Sequence, residues 1–171
     1  SGKSTLAGEL CRRGLQLLTD DVVAVDMTEE TPVVLPGVPL VKFWPDAREH
    51  APAGAWTKPL HPDFEKLGTR LAHDALAPPT SLAQIVVLQG GSEVSQRAVR
   101  GSEGFRQLMF SLYAARYGEQ FVSEMDGRAL LEQVSRIASM IPMMTLERPQ
   151  DMGLIPRAAE AVLQKRCPPP C

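Results

Sequence analysis

Three features of the sequence predict a mixed α/β domain. Apolar residues recur at helical spacing over 3–13, 102–115, 126–140 and 156–165. Short β-branched runs at 22–25, 31–35, 38–44 and 81–89 lie between these stretches and are cut by Pro-Gly and Gly-Gly pairs. Several of these runs follow one another with only a turn between, which predicts much antiparallel pairing in the middle of the chain.

The elements follow in order. Lys3 to Arg13 reads as a helix with Leu6, Leu10 and Cys11 toward one face, and Gly14 is its stop signal. Leu15 to Leu18 is a short apolar strand cut by Thr19-Asp20-Asp21, and Val22 to Val25 resumes it. Thr31 to Leu35 and Val38 to Trp44 are two further strands around Pro36-Gly37, and Pro45-Asp46 turns into a short helical piece. Residues 51–80 are rich in Pro and Gly, show no sustained period and read as a long loop holding Lys58, His61, Lys66, Arg70 and His73. Ser81 to Gln89 is a strand, and Gly90-Gly91 predicts a hairpin into Val94 to Val99. Ser102 to Ala115 is a helix with Phe105, Leu108, Met109 and Leu112 on one stripe. A second helix starts at the N-cap Asp126 and runs to about Met140. Met143 to Leu146 is a last strand, and Pro156 to Lys165 a closing helix with proline in its first turn.

Residues 1–166 are enough chain for one domain with its own core, and 167–171 form a Pro/Cys tail. The apolar share of 44% and charged share of 22% are those of soluble globular proteins. A net charge of −2 supplies no basic surplus, so neither nucleic acid nor an anionic membrane surface is an expected partner. No apolar run reaches the ~20 residues that span a bilayer. The three cysteines, Cys11, Cys167 and Cys171, make no disulfide framework. The prolines between the last two hold them ~12 Å apart in an extended helix rising ~3.1 Å per residue, beyond the ~7 Å limit for a disulfide. The tail is therefore expected to be disordered, and a reducing cytoplasmic setting is the expected one. Met140, Met143 and Met144 read as core filler.

The chemistry concentrates at the amino end. Ser1, Gly2, Lys3, Ser4 and Thr5 match the second half of the phosphate loop G-x-x-x-x-G-K-[ST]. Such a loop works because backbone N–H groups at a helix start converge on an anion. Gly2 lets the backbone come close, Lys3 reaches the β- and γ-phosphates, and the Ser4 hydroxyl is a ligand for Mg2+. Thr5 closes the stretch as a helical position. The competing reading is a plain polar helix start. Asp20-Asp21 bears on the choice. A helix of about eleven residues carries the chain ~16 Å away, and about five residues of strand bring it back ~16 Å. The doublet can thus lie beside Ser4. There, one carboxylate can hold Mg2+ and the other can take the proton of an attacking hydroxyl. A turn cap is the alternative use of an Asp-Asp pair. Trp44 suits stacking on a ligand or partial burial. Arg116 and Arg148 suit either a phosphate clamp or a structural ion pair. His61 and His73 fit no ligand spacing.

"SGKSTLAGELCRRGLQLLTDDVVAVD" followed by "VVLPGVPLVKFWPDA" resembles the catalytic domain of HPr kinase/phosphorylase. It is closer still to the HPr-kinase-like serine kinases of bacterial biosynthetic clusters. The resemblance covers most of the chain, and its most specific part is the short distance from G-K-S-T to L-L-x-D-D. It implies a phosphate-loop fold of the phosphoenolpyruvate carboxykinase type, a mixed sheet with flanking helices. It implies transfer of the ATP γ-phosphoryl group, with Mg2+, to a serine of a protein or peptide. Asp20 would be the base, Asp21 would support the metal with Ser4, and Lys3 would serve the phosphates. The first strand, the front half of the loop, an upstream histidine and the HPr-gripping segment of that family have no counterpart here. A plain kinase is therefore expected rather than a dual kinase/phosphorylase, and weak ATP binding is expected of this stretch of chain. A small-molecule kinase and a nucleotide-binding regulatory module without turnover are the alternatives. A homo-oligomer is left open.

Overall fold

The computed structural model of the chain describes residues 2–38, 40–51, 56–61, 64–70, 77–112 and 126–164. These build a mixed α/β fold of three small sheets and four α-helices. Helix α1, Lys3–Arg12, starts at Gly2 and ends where the Gly14 amide donates to Cys11 at 3.0 Å. Its apolar residues divide between two cores. Leu6 and Leu10 pack with Leu146, Ala158 and Ala159. Ala7 and Cys11 pack with Leu17, Val41, Phe43 and Ala47. Each pair is spaced four residues apart, so each lies along one side of the helix. Burial pushes the Cys11 thiol above its ordinary value, as suits a core residue rather than a nucleophile.

The stretch expected as strand 15–18 forms only a single bridge at Leu17. It is held by hydrogen bonds from Gly37 to Leu18 (2.8 Å) and from Ala77 to Leu17 (3.1 Å). The chain then forms β1, Ala24–Asp26, and β2, Val33–Leu35, an antiparallel pair. Strand β3, Leu40–Phe43, leads into a 3-10 turn at Pro45–His50, the short helical piece the sequence suggested. The expected long loop at 51–80 is largely structured: β4, Trp56–His61, and β5, Phe64–Arg70, pair antiparallel, and β3 joins the other edge of β5. Pro59 and Gly68 hide these strands from propensity. Their order comes from pairing, with fully buried Thr69 opposite fully buried Val41. Strand β6, Thr80–Ser81, closes the first sheet against β2.

The third sheet corrects the expected hairpin. Strands β7, Ile85–Gly90, and β8, Ser95–Val99, do not pair with each other. Strand β9, Met143–Arg148, lies between them, parallel to β7 and antiparallel to β8. Met143, Met144, Thr145, Leu146 and Arg148 are buried. A strand so covered belongs at the centre of a sheet, where both edges find hydrogen bonds. The Gly-Gly signal at the turn cannot register a competitor some fifty residues away.

Helix α2, Ser102–Ser111, is shorter than expected, with Phe105, Leu108 and Met109 half-buried. Arg116, His73, Ser1 and the Cys167–Cys171 tail lie outside the described residues. Helix α3, Gly127–Met140, has the expected cap, Asp126 accepting from the Arg128 amide at 2.9 Å. A 3-10 turn at Met152–Leu154 leads into α4, Ile155–Gln164, which packs on α1. Among the described residues no helix is long and apolar enough to cross a membrane.

Two contacts lock α1 in place. A Cβ at Gly8 would stand 2.4 Å from the His50 carbonyl oxygen and 2.8 Å from the Phe43 ring, so only glycine lets α1 approach β3 and the 3-10 turn this closely. At the next residue the buried Glu9 accepts from Arg13 (3.0 Å) and meets His50 Nδ1 at 3.3 Å. Burial pushes the Glu9 carboxyl up. The hydrogen bonds from Arg13 and His50 and the charges of Arg12 and Arg13 outweigh this and hold it below its ordinary value.

Two outcomes are expected. Gly8→Ala should destabilise the chain by roughly 1–3 kcal/mol in urea denaturation through overpacking, although alanine alone would favour a helix by about 1 kcal/mol. Because the Glu9 pKa is depressed on folding, its contribution is present above the unfolded value and fades as pH falls through the folded one. Between about pH 6 and pH 3, wild type should lose more urea resistance than Glu9→Gln. Equal losses would remove Glu9 from the acid response.

Candidate functional site

The site forms where Gly2, at the start of α1, meets Arg148, at the carboxyl end of β9. Gly90 of β7 and Arg148 of β9 are in register at the carboxyl ends of these two parallel strands. Gly2 takes the left-handed conformation, φ 73 and ψ 18, which turns the chain sharply into the helix. No side chain caps α1, and its first turn carries no acidic residue. The first N–H groups of a helix have no intrahelical acceptor, so the amides of this turn form a positive end. Lys3 adds a charge. It is exposed and has no ion-pair partner among the described residues.

The acidic doublet folds back onto this helix start. The Ser4 hydroxyl donates to Asp20 Oδ1 at 2.8 Å, and the Lys42 amide donates to Asp20 Oδ2 at 3.0 Å. Asp20 therefore ties α1 to β3. The proximity inferred from helix and strand lengths holds, although the return path is an extended segment rather than a strand. Asp21 turns the other way. Its carboxylate is 56% exposed and is paired with the Lys42 ammonium. The two carboxylates thus differ: Asp20 is fixed by two donors, and Asp21 is on the surface beside one cation. Thr5 is buried in the first turn of α1.

Lys42 serves both acids, one through its backbone and one through its side chain, and sequence reasoning gave it no role. The only available signal was the doublet itself, since adjacent carboxylates call for a nearby cation. Trp44 is 55% exposed, with Lys66 Nζ 5.2 Å from the ring centre, a cation–π contact on the surface. The side chain of His61 lies outside the described residues.

Arg148, which sequence left open between a clamp and an ion pair, is 7% exposed. Its Nη1 donates to the Pro149 carbonyl at 2.9 Å, and its Nε is buried without a partner among the described residues. The guanidinium lies against Gly2. A Cβ there would fall 1.8 Å from Nη2 and 3.5 Å from Nε. Gly2 is thus required twice, for its left-handed backbone and for the space that Arg148 fills.

Among the described residues no three His, Cys, Asp or Glu side chains gather to hold a metal. The oxygens of Ser4, Asp20 and Asp21 are hard donors of the kind Mg2+ takes. Mg2+ is commonly held by one or two carboxylates together with substrate phosphates rather than in an all-protein cage. The structure brings Ser4 and Asp20 together in that way, whereas Asp21 is turned toward Lys42.

The two aspartates should separate in stability. Asp20→Ala leaves the Lys42 amide and Ser4 hydroxyl without their acceptor and should cost about 1–3 kcal/mol. Asp21→Ala removes only an exposed ion pair and should cost at most about 1 kcal/mol. Urea denaturation of both variants reads the difference, and equal costs would deny Asp20 its bridging role.

No family model matches the chain, and no curated protein or solved structure matches it.

Proposed function

We propose that the chain is a Mg2+- and ATP-dependent kinase that transfers the γ-phosphoryl group to a serine hydroxyl of a protein or peptide. The observation that carries this reading is the Ser4–Asp20 hydrogen bond at the start of α1. It brings a hydroxyl, a carboxylate and an uncapped helix N-terminus together, the combination that phosphoryl transfer uses. The wider proposal is a phosphate-loop fold of the phosphoenolpyruvate carboxykinase type, in an HPr-kinase-like serine kinase acting in the cytoplasm.

The residues divide the work as follows. Gly2, Ser4 and Thr5 present backbone amides to the phosphates. Lys3 neutralises charge on the β- and γ-phosphates. Ser4 and Asp21 would hold Mg2+, which when bound supplies further neutralisation of the phosphate oxygens. Asp20 accepts the proton of the attacking serine hydroxyl. The serine oxygen bonds to the γ-phosphorus as the bond to the β–γ bridging oxygen breaks, and ADP leaves. Most of the acceleration in such a site comes from positioning and preorganised charge.

One observation favours a second division. Asp20 is the carboxylate bonded to Ser4, whereas Asp21 is the more exposed and better placed to meet an incoming hydroxyl. In that arrangement Asp20 stands on the metal side and Asp21 is the base. The Mg2+ dependence of the variants separates the two. Excess Mg2+ should partly rescue the variant on the metal side and leave the base variant inactive.

Radiolabelled ATP with a set of serine peptides tests the proposal. Wild type should label serine. Asp20→Asn, if Asp20 is the base, should lose about 10²–10⁴ in rate, and Lys3→Ala should lose transfer as well. Label appearing on a small molecule would move the assignment to a metabolite kinase. Binding of ATP with no transfer to any acceptor would make the chain a regulatory module. Undiminished transfer by both Asp20→Asn and Asp21→Asn would overturn the site.

A further inference from the structure

A buried guanidinium is costly unless an acceptor of comparable strength meets it. Arg148 is buried, yet its one partner among the described residues is a neutral carbonyl, at Pro149. Nearby carboxylates are committed elsewhere. Glu147, on the other face of β9, lies 3.5 Å from the Ser95 hydroxyl. Asp151 caps the Gly153 amide at 2.8 Å, and Asp20 is held by Ser4 and the Lys42 amide. The unpartnered donor is Nε, and Nη2 lies on the same edge of the guanidinium plane. That edge faces Gly2, the residue before the first turn of α1. Two positive features of independent origin therefore converge: the uncapped N-terminus of a ten-residue helix and a buried arginine whose Nε has no partner among the described residues.

We infer that Arg148 completes an oxyanion site with the N-terminal amides of α1, taking a phosphate group on its Nε–Nη2 edge. The inference deepens the phosphoryl-transfer proposal and rests on it for the identity of the ligand, a nucleotide polyphosphate. A planar guanidinium matches two oxygens of one phosphate, a geometry that lysine cannot reproduce. The hydrogen bond from Nη1 to Pro149 sets the plane beforehand, so little ordering remains when the anion arrives. Because Arg148 ends the central strand of its sheet, the clamp is mounted on a rigid element.

Inorganic pyrophosphate is the probe, titrated into the 15N-labelled chain. The Arg148 Nε–H signal is identified by its absence in Arg148→Lys. Pyrophosphate should move that signal together with the Lys3, Ser4 and Thr5 amides. Arg148→Gln should raise the dissociation constant about tenfold or more, and Arg148→Lys should recover only part of the loss. Parallel arms with ATP and orthophosphate tell a nucleotide tail from a free anion. Amide shifts with a stationary Nε–H signal would overturn the clamp and leave the kinase proposal standing. Movement of both, in a chain that transfers phosphate to nothing, would keep the clamp and remove the kinase. No response to pyrophosphate or ATP would overturn both. Should Arg148→Gln lose its dispersed spectrum, the wild-type titration still decides.

Discussion

Helix α1 is buried on two sides, and that constraint organises the described structure. Leu6 and Leu10 fill one core with the β9 and α4 residues, while Ala7 and Cys11 fill another with β3 and the 3-10 turn. Neither core closes without the helix. Gly8 sets how near α1 comes to Phe43, and the contact of Glu9 with His50 holds the same interface. The helix start is therefore held from both flanks. The proposed phosphate-binding role would gain from this, because amides that need no reorganisation stabilise an anion most effectively.

The polar groups at that start have different standing. Asp20 has two donors and links α1 to β3, so its place belongs to the fold as much as to any chemistry. Asp21 sits outside with Lys42 and can move at little cost. Arg148 is the reverse of Asp21, buried and short of a partner. A site that gathers a fixed carboxylate, a mobile one and an unsatisfied arginine around a helix N-terminus is underpaired in anions on one side. A phosphate would correct that imbalance.

Much of the local structure was legible. The cap at Asp126, the stop at Gly14 and the turn after Trp44 all rest on interactions spanning a few residues, which sequence carries directly. The return of Asp20 to Ser4 was legible for a related reason: it needs only the rise of a helix and of an extended chain. The pairing of β7 with β9 was not legible, because a parallel pairing joins segments far apart in sequence, and the Gly-Gly turn argued for the nearer partner. The strands β4 and β5 were hidden by Pro59 and Gly68, whose low strand propensity is overridden by the pairing of β5 with β3 on one edge and β4 on the other.

The sequence by itself determined a mixed α/β chain, a helix opening on Gly-Lys-Ser-Thr, and an acidic doublet within one helix and one return of it. Tertiary structure alone decided which aspartate meets Ser4, that Lys42 serves both, and that Arg148 arrives beside Gly2 from the far end of the chain. The reason is physical. Spacing along a chain limits how far two residues can be apart, but the direction of a side chain depends on strand register and on the order of strands in a sheet, and a one-residue change of register would turn every side chain of β9 to the opposite face.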